Sequence, residues 1–127
     1  MRMIYPAFSQ PSGLNANHIS SVPKEVEAYV NDPLIHDKVT SATGIDMMKA
    51  ANDLSAYRGN FEVPLLMMHG EKDMIIDPQG SRDFVQNVSG SITHKEWPKL
   101  YHEIHNEANA QEIFNYTLNW MKAISND

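Results

Sequence analysis

The chain contains no cysteine among its 127 residues. That absence excludes disulfide bonds, catalytic thiolates and zinc sites built on thiolates. It is compatible with a reducing compartment, so we expect a cytoplasmic protein. Met1 to Pro6 is too short an apolar stretch for a signal peptide, and the longest apolar run, Val63 to Met68, is too short to span a bilayer. We therefore expect no stable insertion into a membrane.

Basic residues are also scarce. The 10 Lys and Arg residues stand against 16 Asp and Glu residues, which gives a formal net charge of -6. No cluster of Lys or Arg offsets this balance, so nucleic acid and anionic membranes are poor candidates for the main partner. The composition, 42% hydrophobic and 20% charged, is that of a globular chain about one small domain long.

The character of the chain changes near residue 60. Residues 1–60 carry helical patterns and irregular segments, and residues 61–127 alternate between strand and helix patterns. In the first part, residues 1–17 read as irregular, a short helix capped by Ser21 ends near Asn31, and a second helix runs from Gly44 to about Tyr57. These helices predict a small layer that covers another part of the fold.

The second part predicts a β-α-β-α unit with parallel strands, so the fold class is α/β. Its strands are 63–68 and 91–97, and its helices run from Pro78, capped by Asp77, to about Val88 and from Asn109 to Ile124. The first strand is apolar without alternation, as in a strand covered on both faces. The second is polar enough for a sheet edge. A sheet of two strands is marginal in water, so this unit requires further strands.

Two turns follow these strands and carry the chemistry. Asp73 lies just beyond the first strand, and His102 lies just beyond the second. Because neighbouring parallel strands end at the same edge of a sheet, we expect the two side chains to lie close together. A carboxylate beside an imidazole fixes its tautomer and stabilises its protonated form. The pair is the supporting half of nucleophilic catalysis.

The segments around both turns resemble α/β-hydrolases of the monoacylglycerol lipase and lysophospholipase type. Residues 63–77 are similar to the acid-bearing segment of that family, residues 97–107 to its histidine segment, and residues 26–34 to part of its helical cap. The resemblance implies an incomplete α/β-hydrolase fold in which 1–60 is cap-like and 61–127 is the C-terminal part of the core. It also implies that Asp73 is the triad acid and His102 the general base, with no cofactor and with an acyl ester as substrate.

No Gly-x-Ser-x-Gly motif occurs in the chain, although this family places its nucleophile there. Ser81 falls inside a predicted helix, and Ser91 falls at the wrong end of a strand. We therefore expect the isolated chain to be inactive and the serine and oxyanion donors to come from an upstream half.

The residues leave some rival assignments open. Asp77 competes with Asp73 as the acid, and His105 competes with His102 as the base. His102-Glu103-Ile104-His105 is one residue short of the spacing that a zinc protease motif requires. His69 is expected to pack against the floor of the site. Met47, Met48, Met74 and Ile75 line either an acyl-chain pocket or an ordinary core.

Two other functional readings stand beside a partial hydrolase. The chain is either a non-catalytic module that binds a partner, through self-association or an upstream half that completes the sheet, or a truncation with no function of its own. The unsatisfied strand edge favours the module.

Overall fold

The computed structural model describes residues 5–125, which form four strands and four α-helices. The strands are β1 (Ser9–Pro11), β2 (Lys38–Thr40), β3 (Asn60–Gly70) and β4 (Ser89–Trp97). The helices are α1 (Pro23–Asn31), α2 (Ser41–Ala56), α3 (Pro78–Asn87) and α4 (Ala110–Ser125). Short 3₁₀ turns at Ala16–His18 and Ile104–Asn106 complete the regular structure of this part of the chain.

Strands β3 and β4 form the parallel pair that the sequence predicts. Their register runs without interruption from Leu65 opposite Ile92 to Gly70 opposite Trp97. The register shifts between Phe61 and Leu65, the interval that contains Pro64, a residue that cannot donate to a strand ladder. Both strands begin earlier than predicted. The α/β class and the β-α-β-α order of this unit are confirmed.

Local sequence signals place the two helices of this unit correctly. The carboxylate of Asp77 accepts a hydrogen bond from the backbone N–H of Gln79 at 2.9 Å, and Pro78 is the first residue of α3. The guanidinium of Arg82 donates two hydrogen bonds to Glu96, at 2.6 and 2.7 Å, and so fastens α3 to β4. Helix α4 begins and ends within one residue of its predicted limits.

The small core lies between the parallel strands and α4. Trp97, Leu100 and Ile113 are buried together, and Met68, Ile104 and Tyr116 pack against them. The rings of Trp97 and Tyr116 meet edge to face with centroids 5.6 Å apart. This core buries the end of β4 beside the loop that follows it.

The predicted apolar stripe of α4 is only partly covered. Ile113 is 2% exposed, whereas Phe114 is 55%, Leu118 47% and Met121 52% exposed. The last three are spaced by four and three residues, so they form a second apolar face on α4 that residues 5–125 leave uncovered.

Three features of the first part differ from the sequence prediction. Residues 5–17, predicted to be irregular, include β1, which pairs antiparallel with β2; residues 1–4 of that prediction lie outside the described residues. Helix α2 begins at Ser41, three residues before Gly44, because the Thr40 hydroxyl accepts from the N–H of Thr43. The cap residue of α1 is Val22, since the Ser21 side chain bonds elsewhere.

Gly70 ends β3 where the chain passes closest to the loop after β4. A Cβ atom at this position would overlap the carbonyl oxygen of Tyr101 and lie 2.6 Å from that of Leu100. Gly80, in α3, has no atom within 4 Å of the position its Cβ would take. The two glycines therefore offer a matched pair of substitutions.

We expect Gly70→Ala to lower the free energy of unfolding by about 1–3 kcal/mol, because two backbone segments must separate. We expect Gly80→Ala to raise it by about 0.5–1 kcal/mol, since alanine favours the helix. Urea denaturation of both variants measures the difference. Equal effects of the two substitutions would contradict the close approach at Gly70.

Candidate functional site

The turn after β3 holds the carboxylate of Asp73 in place. One carboxylate oxygen, Oδ1, accepts the backbone N–H groups of Ile75 at 2.8 Å and Ile76 at 2.9 Å. The N–H of Asp73 donates to the carbonyl of Gly70 at 3.1 Å. The side chain of Asp73 is only 2% exposed. Its position is thus set by its own turn, independently of the second oxygen.

The loop after β4 is bound to this turn through the backbone. Glu71 N–H donates to the carbonyl of Trp97 at 3.0 Å, and Lys72 N–H donates to that of Leu100 at 2.9 Å. Lys99 adopts a φ of 69°, the left-handed conformation that turns the chain back toward Asp73. These contacts bring His102 next to Oδ2 of Asp73, the oxygen that the backbone of the turn leaves unbonded.

His102 and Asp73 form the pair that the sequence predicts to be neighbours. The Nδ1 atom of His102 lies 2.8 Å from Oδ2 of Asp73. A carboxylate only accepts hydrogen bonds, so Nδ1 carries the proton and Nε2 presents a lone pair. The described residues give Nε2 no hydrogen-bond partner, and the His102 side chain is 36% exposed. This is the geometry of an oriented imidazole base.

Opposing effects set the charge of Asp73. Burial raises the pKa of its carboxyl, while the hydrogen bonds from the Ile76 N–H, the His102 imidazole and the Ile75 N–H lower it. The hydrogen bonds prevail, and the pKa of Asp73 lies below its ordinary value. Asp73 is therefore ionised at neutral pH and accepts the hydrogen bond from Nδ1 of His102 as a carboxylate.

His69 is a third member of the site, whose contact with Asp73 sequence reasoning missed. Its Nε2 lies 3.0 Å from Oδ2 of Asp73 and 3.2 Å from the carbonyl of Ile76, and its Nδ1 lies 2.8 Å from the hydroxyl of Ser81. Both partners of Nε2 are acceptors, so Nε2 donates. His69 is four residues before Asp73 at the mouth of the same turn, and that spacing was the available signal.

The rival residues are not brought together with the pair. Asp77 caps α3 and is exposed, and His105 is exposed in the 3₁₀ turn Ile104–Asn106. Ser81 lies within α3, as predicted, and bonds to His69. Within residues 5–125, no group of three or more His, Asp or Glu side chains is arranged to hold a metal ion.

An apolar cavity of about 880 Å³ opens beside the acid turn. Its lining includes all four residues that the sequence suggests for an acyl-chain pocket, namely Met47, Met48, Met74 and Ile75. Helix α2 supplies the first two, and the turn that holds Asp73 supplies the others. The cavity therefore lies between residues 10–48 and residues 74–76, which directly follow Asp73 in the sequence.

The parallel strands and the Asp73–His102 pair are typical of an α/β-hydrolase, and comparison with known families supports this class. The model of the family described as serine aminopeptidase, S33, matches residues 1–109, so the chain belongs to that family. The fold is part of an α/β-hydrolase fold. In the described residues, no helix is long and apolar enough to cross a membrane.

Several relatives carry lipase names. The chain is 31% identical to a monoacylglycerol lipase of Mycolicibacterium smegmatis over 85% of its own length and 39% of the relative's. It is 28% identical to the phospholipase YtpA of Bacillus subtilis, over 90% of this chain and 45% of that protein. The chain thus spans less than half the length of these relatives.

A solved structure has a similar fold over almost the whole of this chain. The crystal structure of a monoacylglycerol lipase from Paleococcus ferrophilus superposes with a TM-score of 0.80 at 27% identity. The superposition covers 94% of this chain and 47% of the lipase. The resemblance drawn from the sequence is therefore confirmed at the level of family and fold.

The contact between His69 and Asp73 predicts a difference between two substitutions. His69→Leu removes the donor to a buried carboxylate, and we expect it to lower the free energy of unfolding by about 1–3 kcal/mol. In His69→Gln the amide nitrogen takes the place of Nε2, so we expect less than half that loss. Denaturant unfolding of both variants measures the two values.

The exposed His105 supplies the control, since His105→Leu should change stability by no more than about 0.5 kcal/mol. A His69→Leu variant as stable as the wild type would show that the hydrogen bond to Asp73 contributes nothing.

Proposed function

We propose that this chain supplies the acid and the base of a serine ester hydrolase. One observation carries the proposal: the 2.8 Å hydrogen bond from His102 Nδ1 to a buried Asp73, which leaves Nε2 as an accessible base. Asp73 is the triad acid, and His102 is the general base. The division of the chain into a cap-like part, 1–60, and a core part, 61–127, belongs to the same proposal.

The substrate class follows from the cavity and the relatives. A methionine-rich apolar cavity suits a flexible acyl chain of medium or long length. The neighbouring acid turn would bring the ester end of such a chain close to Asp73 and His102. Names of relatives include monoacylglycerol lipase and phospholipase, and the first of these names an acyl ester as its substrate.

The reaction needs a nucleophile that the chain does not provide in a Gly-x-Ser-x-Gly motif. A serine from another segment of the hydrolase attacks the ester carbonyl while Nε2 of His102 takes its proton. Asp73 stabilises the resulting imidazolium. The proton then passes to the leaving alcohol, and water, deprotonated by the same Nε2, releases the acid from the acyl-enzyme.

A chimera tests these roles. In the chimera, this chain replaces the matching segment of the Mycolicibacterium lipase, and the rest of that lipase is kept. Hydrolysis of a long-chain monoacylglycerol is then measured. We expect activity, with kcat lowered roughly 10³- to 10⁴-fold by Asp73→Asn or His102→Ala, because the base loses its orientation or is absent.

The matched controls are Asp77→Asn and His105→Ala, which should keep kcat within about threefold of the parent chimera, since neither side chain contacts the pair. A fluorophosphonate probe should leave the isolated chain unlabelled. Stoichiometric labelling, above all at Ser81, or full activity in the His102→Ala chimera would refute the assignment.

A second candidate function, binding of a partner polypeptide, is favoured by the uncovered surfaces. Among the described residues β3 and β4 pair only with each other, and Val63 on β3 is 65% exposed. The apolar face of α4 formed by Phe114, Leu118 and Met121 is also uncovered. We propose that the occupant is the strand-bearing remainder of a hydrolase domain, which adds a strand beside β3.

Light scattering of the chain mixed with the separately expressed remainder of the Mycolicibacterium lipase tests this pairing. We expect a one-to-one complex that Leu118→Glu weakens at least tenfold and that Gln111→Glu, an exposed change on the same helix, does not alter. A monomeric chain that unfolds cooperatively and ignores the remainder would contradict it. A homodimer would assign the edge to self-association instead.

A further inference from the structure

Glu107 is a buried carboxylate that the proposed reaction does not use. It is 4% exposed and follows the 3₁₀ turn Ile104–Asn106. One of its oxygens accepts the backbone N–H of Ser21 at 2.9 Å and that of Tyr101 at 3.0 Å. The other oxygen accepts the hydroxyl of Ser21. Glu107 thus joins the residue beside His102 to a segment 86 positions away in the chain.

Two further hydrogen bonds connect the same segments. The hydroxyl of Ser20 donates to the carbonyl of Asn106 at 2.7 Å, and the N–H of Glu103 donates to the carbonyl of Ile19 at 2.7 Å. Ile19 and Ser20 are 1% and 2% exposed. Residues 19–21 therefore form a buried brace against the loop of residues 101–107.

The backbone hydrogen bonds between this loop and the turn after β3 end at Leu100, two residues before His102. The loop contains no longer regular element than one 3₁₀ turn, and the described residues give the imidazole a single hydrogen bond, to Asp73. Burying a carboxylate is unfavourable unless each oxygen accepts hydrogen bonds, and Glu107 accepts three. One of these hydrogen bonds fixes the backbone N–H of Tyr101, the residue directly before His102.

We propose that Glu107 is the positioning residue for His102, and that it holds the imidazole against Asp73 by bracing the loop on residues 19–21. This inference rests on the proposed role of His102 as the base. If Glu107 acts in this way, residues 19–21 of the cap-like part determine the position of His102 in the core part.

The test uses the full chain and imidazole ¹⁵N NMR, which reports the tautomer of His102 without any turnover. In the wild type the Nδ1–H form should dominate, because Asp73 accepts from Nδ1. In Glu107→Ala we expect the Nε2–H form to become substantial and the amide of Tyr101 to exchange roughly tenfold faster. Glu107→Gln retains an acceptor oxygen and should restore most of the wild-type tautomer.

Glu103→Ala is the matched control. The Glu103 carboxylate lies in the same loop and, among the described residues, accepts a hydrogen bond only from the Asn106 side chain. The substitution removes that carboxylate and keeps the hydrogen bond from the backbone N–H of residue 103 to the carbonyl of Ile19. We expect its His102 tautomer to match that of the wild type. If Glu107→Ala does not fold, Ser21→Ala removes one of the three donors and should produce the same changes in smaller measure.

A folded Glu107→Ala or Ser21→Ala variant with wild-type tautomer and exchange would overturn the proposal. So would a Glu103→Ala variant that changes the tautomer as much as Glu107→Ala does. A chimera inactive for lack of a functional base would instead count against the proposed function, since the tautomer is measured independently of catalysis.

Discussion

The carboxylate of Asp73 accepts four N–H donors, and most of the site depends on that fact. Two come from the backbone of its own turn, and two come from the imidazoles of His69 and His102. Burial alone would favour the neutral acid, whereas four donors favour the anion. The anion then sets the tautomer of His102 and directs its free nitrogen outward. One charge thereby links β3, the turn that follows it and the loop after β4.

The rest of the described structure supports this charge from two sides. Gly70 allows the loop after β4 to approach the acid turn, because any side chain there would overlap the backbone of Tyr101. From the other side, residues 19–21 and Glu107 hold the same loop. The acid turn also forms part of the apolar cavity. Asp73, His102 and the apolar cavity are therefore coupled through short backbone segments rather than through a large core.

Much of this arrangement could be predicted from the sequence, because local signals and strand topology determine it. Asp77 and Pro78 mark the start of α3, and two parallel strands bring Asp73 and His102 to one edge. Contacts between distant segments could not be predicted. Ser21 looked like a helix cap because nothing nearby in the sequence reveals Glu107, its actual partner. The pairing of β1 with β2 was missed because three residues carry no periodicity. For His69 the spacing of four residues before Asp73 was the one local signal, but spacing alone does not specify the fold of the turn that brings the two side chains together.

The most direct test of the account is an NMR titration of the Asp73 carboxyl carbon in the full chain. When folding lowers the pKa of a carboxyl, that carboxyl stabilises the folded protein at pH values above its pKa in the unfolded chain, which is about 3.9. The stabilisation is lost as the pH falls through the lowered pKa of the folded protein. We therefore predict a midpoint below the ordinary aspartate value. A midpoint at or above the ordinary value would show that burial outweighs the four donors, and would contradict the central role of the Asp73 anion.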